Sequence, residues 1–122
     1  MKQGTTAARN GGPRANESWE RLGNHETSGK LARIVCGAGN YFYPQKDFEE
    51  YVATGEGMAD GAMTSLKENI CQIVLVLDGG YNFLTNKIVM MTFFRVIWND
   101  RIGYINAHGL SVIEPPQKKE PA

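Results

Sequence analysis

The sequence predicts an α+β domain: two short helices packed on a curved antiparallel sheet of four to five strands, with flexible N- and C-terminal tails. Three observations carry this expectation. The last third of the chain alternates β-branched apolar runs with short polar turns, the pattern of consecutive antiparallel strands. Two segments before it place apolar residues at helical spacing. Both ends lack the large apolar side chains whose burial offsets the entropy of ordering.

The segments follow in order. Residues 1–30 are rich in Gly, Asn, Thr, Ser, Ala and Arg, and read as a flexible arm in which 17–22 forms at most a short helical turn that docks Trp19. Residues 31–113 form the single domain. Leu31 to Cys36 is a short strand that stops at Gly37-Ala38-Gly39, and Asn40 to Pro44 is an aromatic turn. Phe48, Tyr51 and Val52 share one face of a first helix over 47–53, which ends at Gly55. Ala59, Ala62, Met63, Leu66 and Ile70 make the stripe of a second helix over 58–70. Gly61 weakens that helix by about 1 kcal/mol relative to Ala, and Ser65-Leu66-Lys67-Glu68 matches a capping box at which it breaks or restarts. Ile73 to Leu77 is a strand, and Asp78-Gly79-Gly80-Tyr81-Asn82 its turn. Lys87 to Trp98 is a long strand turned at Asn99-Asp100. Arg101 to Asn106 returns, and Ala107-His108-Gly109 kinks into Leu110 to Ile113. Residues 114–122 form a Pro- and Lys-rich tail that favours an extended conformation.

The strand from Ile88 to Trp98 is apolar on both faces: Ile88, Met90, Phe94, Val96 and Trp98 on one, Val89, Met91, Phe93 and Ile97 on the other. A sheet with one wet face would alternate apolar and polar residues. Two short helices cover one face only. The sheet therefore either curls over a pocket or buries its second face, at Phe93 and Met91, against another copy of the chain; self-association as a homodimer or higher oligomer is expected.

Phe94-Arg95-Val96-Ile97-Trp98-Asn99-Asp100-Arg101-Ile102 resembles the late hairpin of the NTF2-like families, which include the SnoaL-like and ketosteroid-isomerase-like proteins; Val76-Leu77-Asp78-Gly79 is similar to an earlier hairpin in them. The likeness covers about a third of the chain and implies helices followed by a strongly curved sheet around an apolar small-molecule pocket. The turn here is Asn-Asp-Arg rather than Asp-Gly-Lys, the stretch from Asp78 to Phe94 is short for the usual strand count, and the long first helix has no counterpart before Leu31. No acid/base pattern of those families is recognisable, so no catalytic residue carries over.

Thirteen basic residues balance thirteen acidic ones, which removes the electrostatic case for nucleic acid or an acidic membrane. No apolar run reaches the length of a membrane span. With no apolar leader at the N-terminus, a cytoplasmic protein is expected, with Cys36 and Cys71 as reduced, buried thiols. Gly37-Ala38-Gly39 lacks the third glycine of a dinucleotide loop, Phe42 standing in its place. His25 and His108 have no ligand partners at metal spacing, so neither a metal nor a cofactor is expected. Neither Ser65 nor Ser111 sits on a nucleophile elbow. Arg95 stands in the most apolar strand, where a buried guanidinium needs a partner; it reads as a paired or snorkelling residue, or as an anion anchor. His108 reads as a turn residue or a pocket-rim acid/base. Asp78 reads as a turn cap. Tyr41, Phe42, Tyr43 and Tyr51 form an aromatic wall. The candidate ligand-binding set is Arg95, His108, Tyr41, Tyr43 and Trp98, with no catalytic residue named. Two functions follow: an oligomeric interaction or assembly domain without catalytic machinery, or an NTF2-like domain binding an apolar small molecule, with or without catalysis.

Overall fold

The computed structural model of the chain describes residues 16–58 and 61–114. It corrects the expected architecture. Among the described residues there are eight strands and one α-helix, in the order β1 (Glu17–Arg21), β2 (Leu31–Ile34), β3 (Tyr41–Pro44), α1 (Gln45–Thr54), β4 (Thr64–Ser65), β5 (Ile73–Thr85), β6 (Ile88–Trp98), β7 (Arg101–Asn106) and β8 (Leu110–Ile113). The strands form one antiparallel sheet in the order β4-β3-β7-β6-β5-β2-β8, with β1 also paired to β5. Strands β2 and β1 occupy the two ends of one edge of β5, opposite Leu75 to Ile73 and Thr85 to Tyr81.

The connection between β7 and β8 forces the sheet to curl. In a flat sheet these strands would lie four spacings apart, about 19 Å. They are joined only by the 3-10 turn Ala107–Gly109, which rises about 2 Å per residue. The sheet closes that gap by bending into a half-barrel. Its concave face holds the larger core, built from Ala32, Ile34, Phe42, Leu66, Val74, Val76, Phe94, Val96, Trp98 and Ile105. The second core lies on the convex face, where Phe48 of α1 packs on Phe93 and Tyr104 with Trp19, Tyr43, Val52 and Tyr81 around them. Both faces of β6 are thus covered within one chain at Phe93 and Phe94, whereas Ile97 further along is only partly buried.

Five sequence expectations fail, most of them for local reasons. The helix over 58–70 is not formed in the described part of that segment. Gly61 takes φ +83°, and the Ser65 hydroxyl accepts from the Lys67 N–H in a tight turn instead of capping a helix. Leu66 alone of the stripe reaches the core. The expected turn at 78–82 lies inside β5, which runs on to Thr85; the real turn is Asn86-Lys87. Both turn residues there have positive φ, as do Asn99 and Asp100 at the β6–β7 turn, the geometry that matches hairpin twist. Glu17–Arg21, placed in the flexible arm, is strand β1, and Asn40 to Pro44 is largely strand β3. Residues 1–15 and 115–122, the rest of the two expected tails, lie outside the described residues. Cys36 and Cys71 are exposed, not buried.

The Gly-Gly pair has a different use. Between Val76↔Val96 and Tyr81↔Phe93 the register takes five steps along β5 and three along β6, so two extra residues bulge out of β5. Gly80 sits there at φ +66°, and a Cβ on it would collide with the Phe93 carbonyl oxygen; Gly23 has the same φ with nothing near it. The two sites separate conformational strain from steric collision. Gly23→Ala is expected to cost about 1 kcal/mol, the left-handed penalty alone, and Gly80→Ala about 3 kcal/mol or more. Urea unfolding of both variants measures the difference.

Candidate functional site

The bulge decides where Asp78 points. By simple alternation with Val74 and Val76, its carboxylate would enter the concave apolar core. The extra residue after Val76 instead pairs Asp78 with Arg95 on the convex face. There it meets two guanidinium groups. Arg21 on β1 donates from both terminal nitrogens, Nη1 to Oδ1 and Nη2 to Oδ2, each at 3.1 Å. Arg95 Nε donates to Oδ2 at 2.9 Å. The Gly80 N–H donates to Oδ1 at 2.8 Å, and Arg21 Nη1 also reaches the Gly80 carbonyl at 2.9 Å. Burial pushes the Asp78 carboxyl up, but the hydrogen bonds from Arg21, Arg95 and Gly80 together outweigh it and hold its pKa below the usual value. Asp78 is therefore more than a turn cap: it clips β1, β5 and β6 together. Arg95, a candidate anion anchor, is committed to Asp78.

Beside this clip lies a cavity of about 400 Å³ bounded by β1, β3, α1, β5 and β6. Trp19 is part of its wall, with ring centroids 5.0–6.3 Å from Phe48, Tyr51, Tyr81, Phe83 and Phe93. Tyr43 lines the same space, packed on Phe48 and Phe93. Of the expected ligand-binding residues, Tyr43 alone is placed here. Tyr41 packs its ring 6.2 Å from that of Tyr43 without lining the cavity. Trp98 is buried in the other core, where its Nε1 donates to Gln72 Oε1. His108 is exposed on the 3-10 turn, its N–H held by the Asn106 side chain; it borders a shallow groove with Val89 to Thr92. Arg95 and His108 are not brought together. The sequence reading missed Trp19, Phe83 and Asn106 as lining residues. Trp19 stands in a polar stretch, where a lone tryptophan in a chain segment otherwise without bulk was the available signal.

Tyr104 is the other buried polar group of this face. Its hydroxyl donates to Glu49 Oε2 at 2.6 Å; burial, then the Glu49 carboxylate, raises its pKa well above the usual tyrosine value. This is a neutral-to-charged hydrogen bond that fixes α1 on the sheet. No group of three His, Cys, Asp or Glu among the described residues is close enough to hold a metal. Among the described residues no helix is long and apolar enough to cross a membrane.

A further feature of the convex face lies beyond the reach of α1. Ile113, Leu31, Leu75, Ile97 and Ile102 are successive cross-strand partners on β8, β2, β5, β6 and β7, and form one apolar row across five strands. Leu31 is 48% exposed and Ile102 43%. Ile73 extends the patch, at 41%. Arg33 and Lys30 paired to Glu114 supply charge beside it, while Arg101 lies over the Phe42 ring of the concave core.

Comparison with known proteins matches no family model, no curated protein and no solved structure to this chain. Nothing in that outcome bears on the NTF2-like resemblance.

The Asp78 clip makes stability pH-dependent with a defined sign. A depressed folded pKa contributes stability that is complete above the unfolded value, about 3.9, and is lost as pH falls through the lower folded value. Asp78→Asn is expected to cost about 2 kcal/mol at neutral pH, discounted from the buried-pair range because Arg21 is partly exposed. The gap between the variant and the parent narrows as pH falls below the unfolded value and through the folded one. Urea unfolding across that acid range and at neutral pH measures both.

Proposed function

We propose that this chain is a non-enzymatic assembly domain that pairs with a second copy of itself through the row Ile113, Leu31, Leu75, Ile97 and Ile102. The observation that carries the reading is that row: five branched aliphatic side chains in unbroken cross-strand contact, two of them nearly half exposed, on a sheet face that α1 leaves bare. A contiguous apolar patch of this kind on a small domain marks an interaction surface.

A second copy fits better than the chain's own ends. Residues 1–15 carry no large apolar side chain beyond Met1, and 115–122 carry none. Neither has the bulk to cover the row. A copy of the same row does, because a two-fold axis presents an identical patch to itself. Twisted sheets stack face to face with their strands about 30° apart, which interdigitates two such rows. Arg33, Lys30 and Glu114 beside the row give an apolar centre with a charged rim, the composition of a protein interface. The surface differs from the one read in the sequence. Phe93 is buried under α1 and Met91 lines the cavity, so the unpaired part of the second face is centred on Ile97.

The hairpin tip is a lesser candidate for the same role. Ile88 to Met91 are 40–64% exposed, but the register shift between Phe83 and Leu84 makes Met90 an extra residue in β6. A bulge there twists the edge away from ladder pairing.

Sedimentation equilibrium on the full chain tests the proposal, with Ile102→Asp as the variant. The parent is expected to be a dimer, weakened about a hundredfold by the new charge desolvated within the interface, with an unchanged far-ultraviolet spectrum. A parent that stays monomeric at every accessible concentration contradicts it, as does a folded variant that dimerises like the parent.

A further inference from the structure

We propose that the cavity around Trp19 binds an uncharged, flat aromatic molecule of two or three rings that carries a hydrogen-bond acceptor. The proposal goes beyond the assembly reading and does not depend on it, because the cavity and the apolar row share no residue.

The size, the walls and the polar groups each point to this class. A volume of about 400 Å³ lies at the small end of the range for organic ligands. Six aromatic rings line it, from Trp19, Tyr43, Phe48, Tyr51, Phe83 and Phe93. They meet one another edge-on or tilted rather than closing into stacks. A flat guest can add offset-stacked or edge-to-face contacts to such walls. Met58, Met63 and Met91 complete the lining with side chains that adapt to irregular shapes.

Charge is excluded by what is missing from the walls. No lining residue is ionised at neutral pH. An anionic guest would be desolvated without a partner, since Arg21 and Arg95 are both engaged by Asp78. The donors that remain are neutral. The Tyr43 and Tyr51 hydroxyls and Trp19 Nε1 have no hydrogen-bond partner among the described residues, and Asn106 Nδ2 has only the weak Met91 sulfur at 3.7 Å. Burial raises the Tyr43 pKa, so its hydroxyl keeps its proton and can donate. A guest carbonyl, ether or ring nitrogen would satisfy one of these donors, and the apolar remainder would fill the space between the rings.

Titration with 6-propionyl-2-dimethylaminonaphthalene tests the proposal. This probe is uncharged, has two fused rings and a carbonyl acceptor, and emits according to the polarity around it. Saturable one-site binding to the full chain is expected, with blue-shifted probe emission and energy transfer from tryptophan. The anionic 1-anilinonaphthalene-8-sulfonate is expected to bind at least tenfold more weakly. Met63→Trp, which fills the cavity from a loop, is expected to weaken the neutral probe at least tenfold. Met90→Asp on the hairpin tip and Ile102→Asp on the apolar row are expected to bind it as the parent does. Non-saturating binding overturns the proposal, as does preference for the anion. Undiminished affinity in a folded Met63→Trp, or loss of binding in Met90→Asp, would place the probe elsewhere and overturn it equally. Should Met63→Trp fail to fold, the absence of energy transfer from tryptophan in the parent chain at saturation has the same force.

Discussion

The carboxylate of Asp78 is the point at which three strands are tied, and much of the convex face depends on it. One acidic group receives hydrogen bonds from β1 through Arg21, from β6 through Arg95, and from its own bulge through Gly80. Removing an aspartate from water costs free energy unless its oxygens are paired, and here both oxygens are. The bulge is what makes this pairing available. Without the extra residues in β5, Asp78 would point into Val74, Val76 and Val96. With them it faces the convex side, and the loop from Leu22 to Lys30 follows the bulged edge through backbone bonds to Val76, Gly79 and Gly80. The two glycines supply that geometry.

What the clip holds in place is β1, and with it Trp19. A five-residue strand with three charged side chains has little apolar surface of its own to bury. Trp19 is its main anchor, touching rings from α1, β5 and β6. The convex face is thereby divided. At one end, β1 and α1 enclose an aromatic core and the cavity beside it. At the other, the sheet is bare, because a helix of ten residues spans only about 15 Å. The concave face needs no such cover, since the curl imposed by the short β7–β8 connection closes it on itself. The cavity and the bare apolar row thus come from the same shortage: one sheet with two apolar faces and one short helix to cover them.

Much of the second half was legible in the sequence. The strand limits at Trp98, at 101–106 and at 110–113, and the turn at Asn99-Asp100, follow from β-branched runs broken by polar pairs. The α1 segment follows from Phe48, Tyr51 and Val52 on one face. The two-sided apolar character of β6 was legible, and α1 supplies the cover it calls for at Phe93. The failures share a cause: local signals outweighed by pairing. Asp78-Gly79-Gly80 has the composition of a turn, yet the hydrogen-bonding edge of β6 runs past it, and a bulge uses the same residues. Tyr41-Phe42-Tyr43-Pro44 ends in a residue that discourages strands, yet β7 offers it a partner and Pro44 falls at the strand's end. Of the site, Tyr43 and Tyr51 were readable as part of an aromatic wall; Phe42, read into the same wall, lies in the concave core, and Tyr41 does not line the cavity. The Trp19 contribution was not readable, because it arrives from a polar segment by a long-range pairing with β5. Arg95 was legible as a residue in need of a partner, but its partner was not, because alternation alone sends Asp78 to the opposite face.

The account rests on the claim that the Arg21–Asp78 bond positions Trp19, and tryptophan emission reports on that directly. In a Trp98→Phe background Trp19 is the sole emitter. Adding Arg21→Gln removes the two-pronged contact while leaving the β1–β5 ladder and every aromatic ring in place. The expected result is a red-shifted emission that acrylamide quenches more readily, with amide exchange of β6 from Phe93 to Trp98 unchanged. Emission and quenching identical to the Arg21 parent would contradict the account and assign the docking of β1 to its ladder and rings alone.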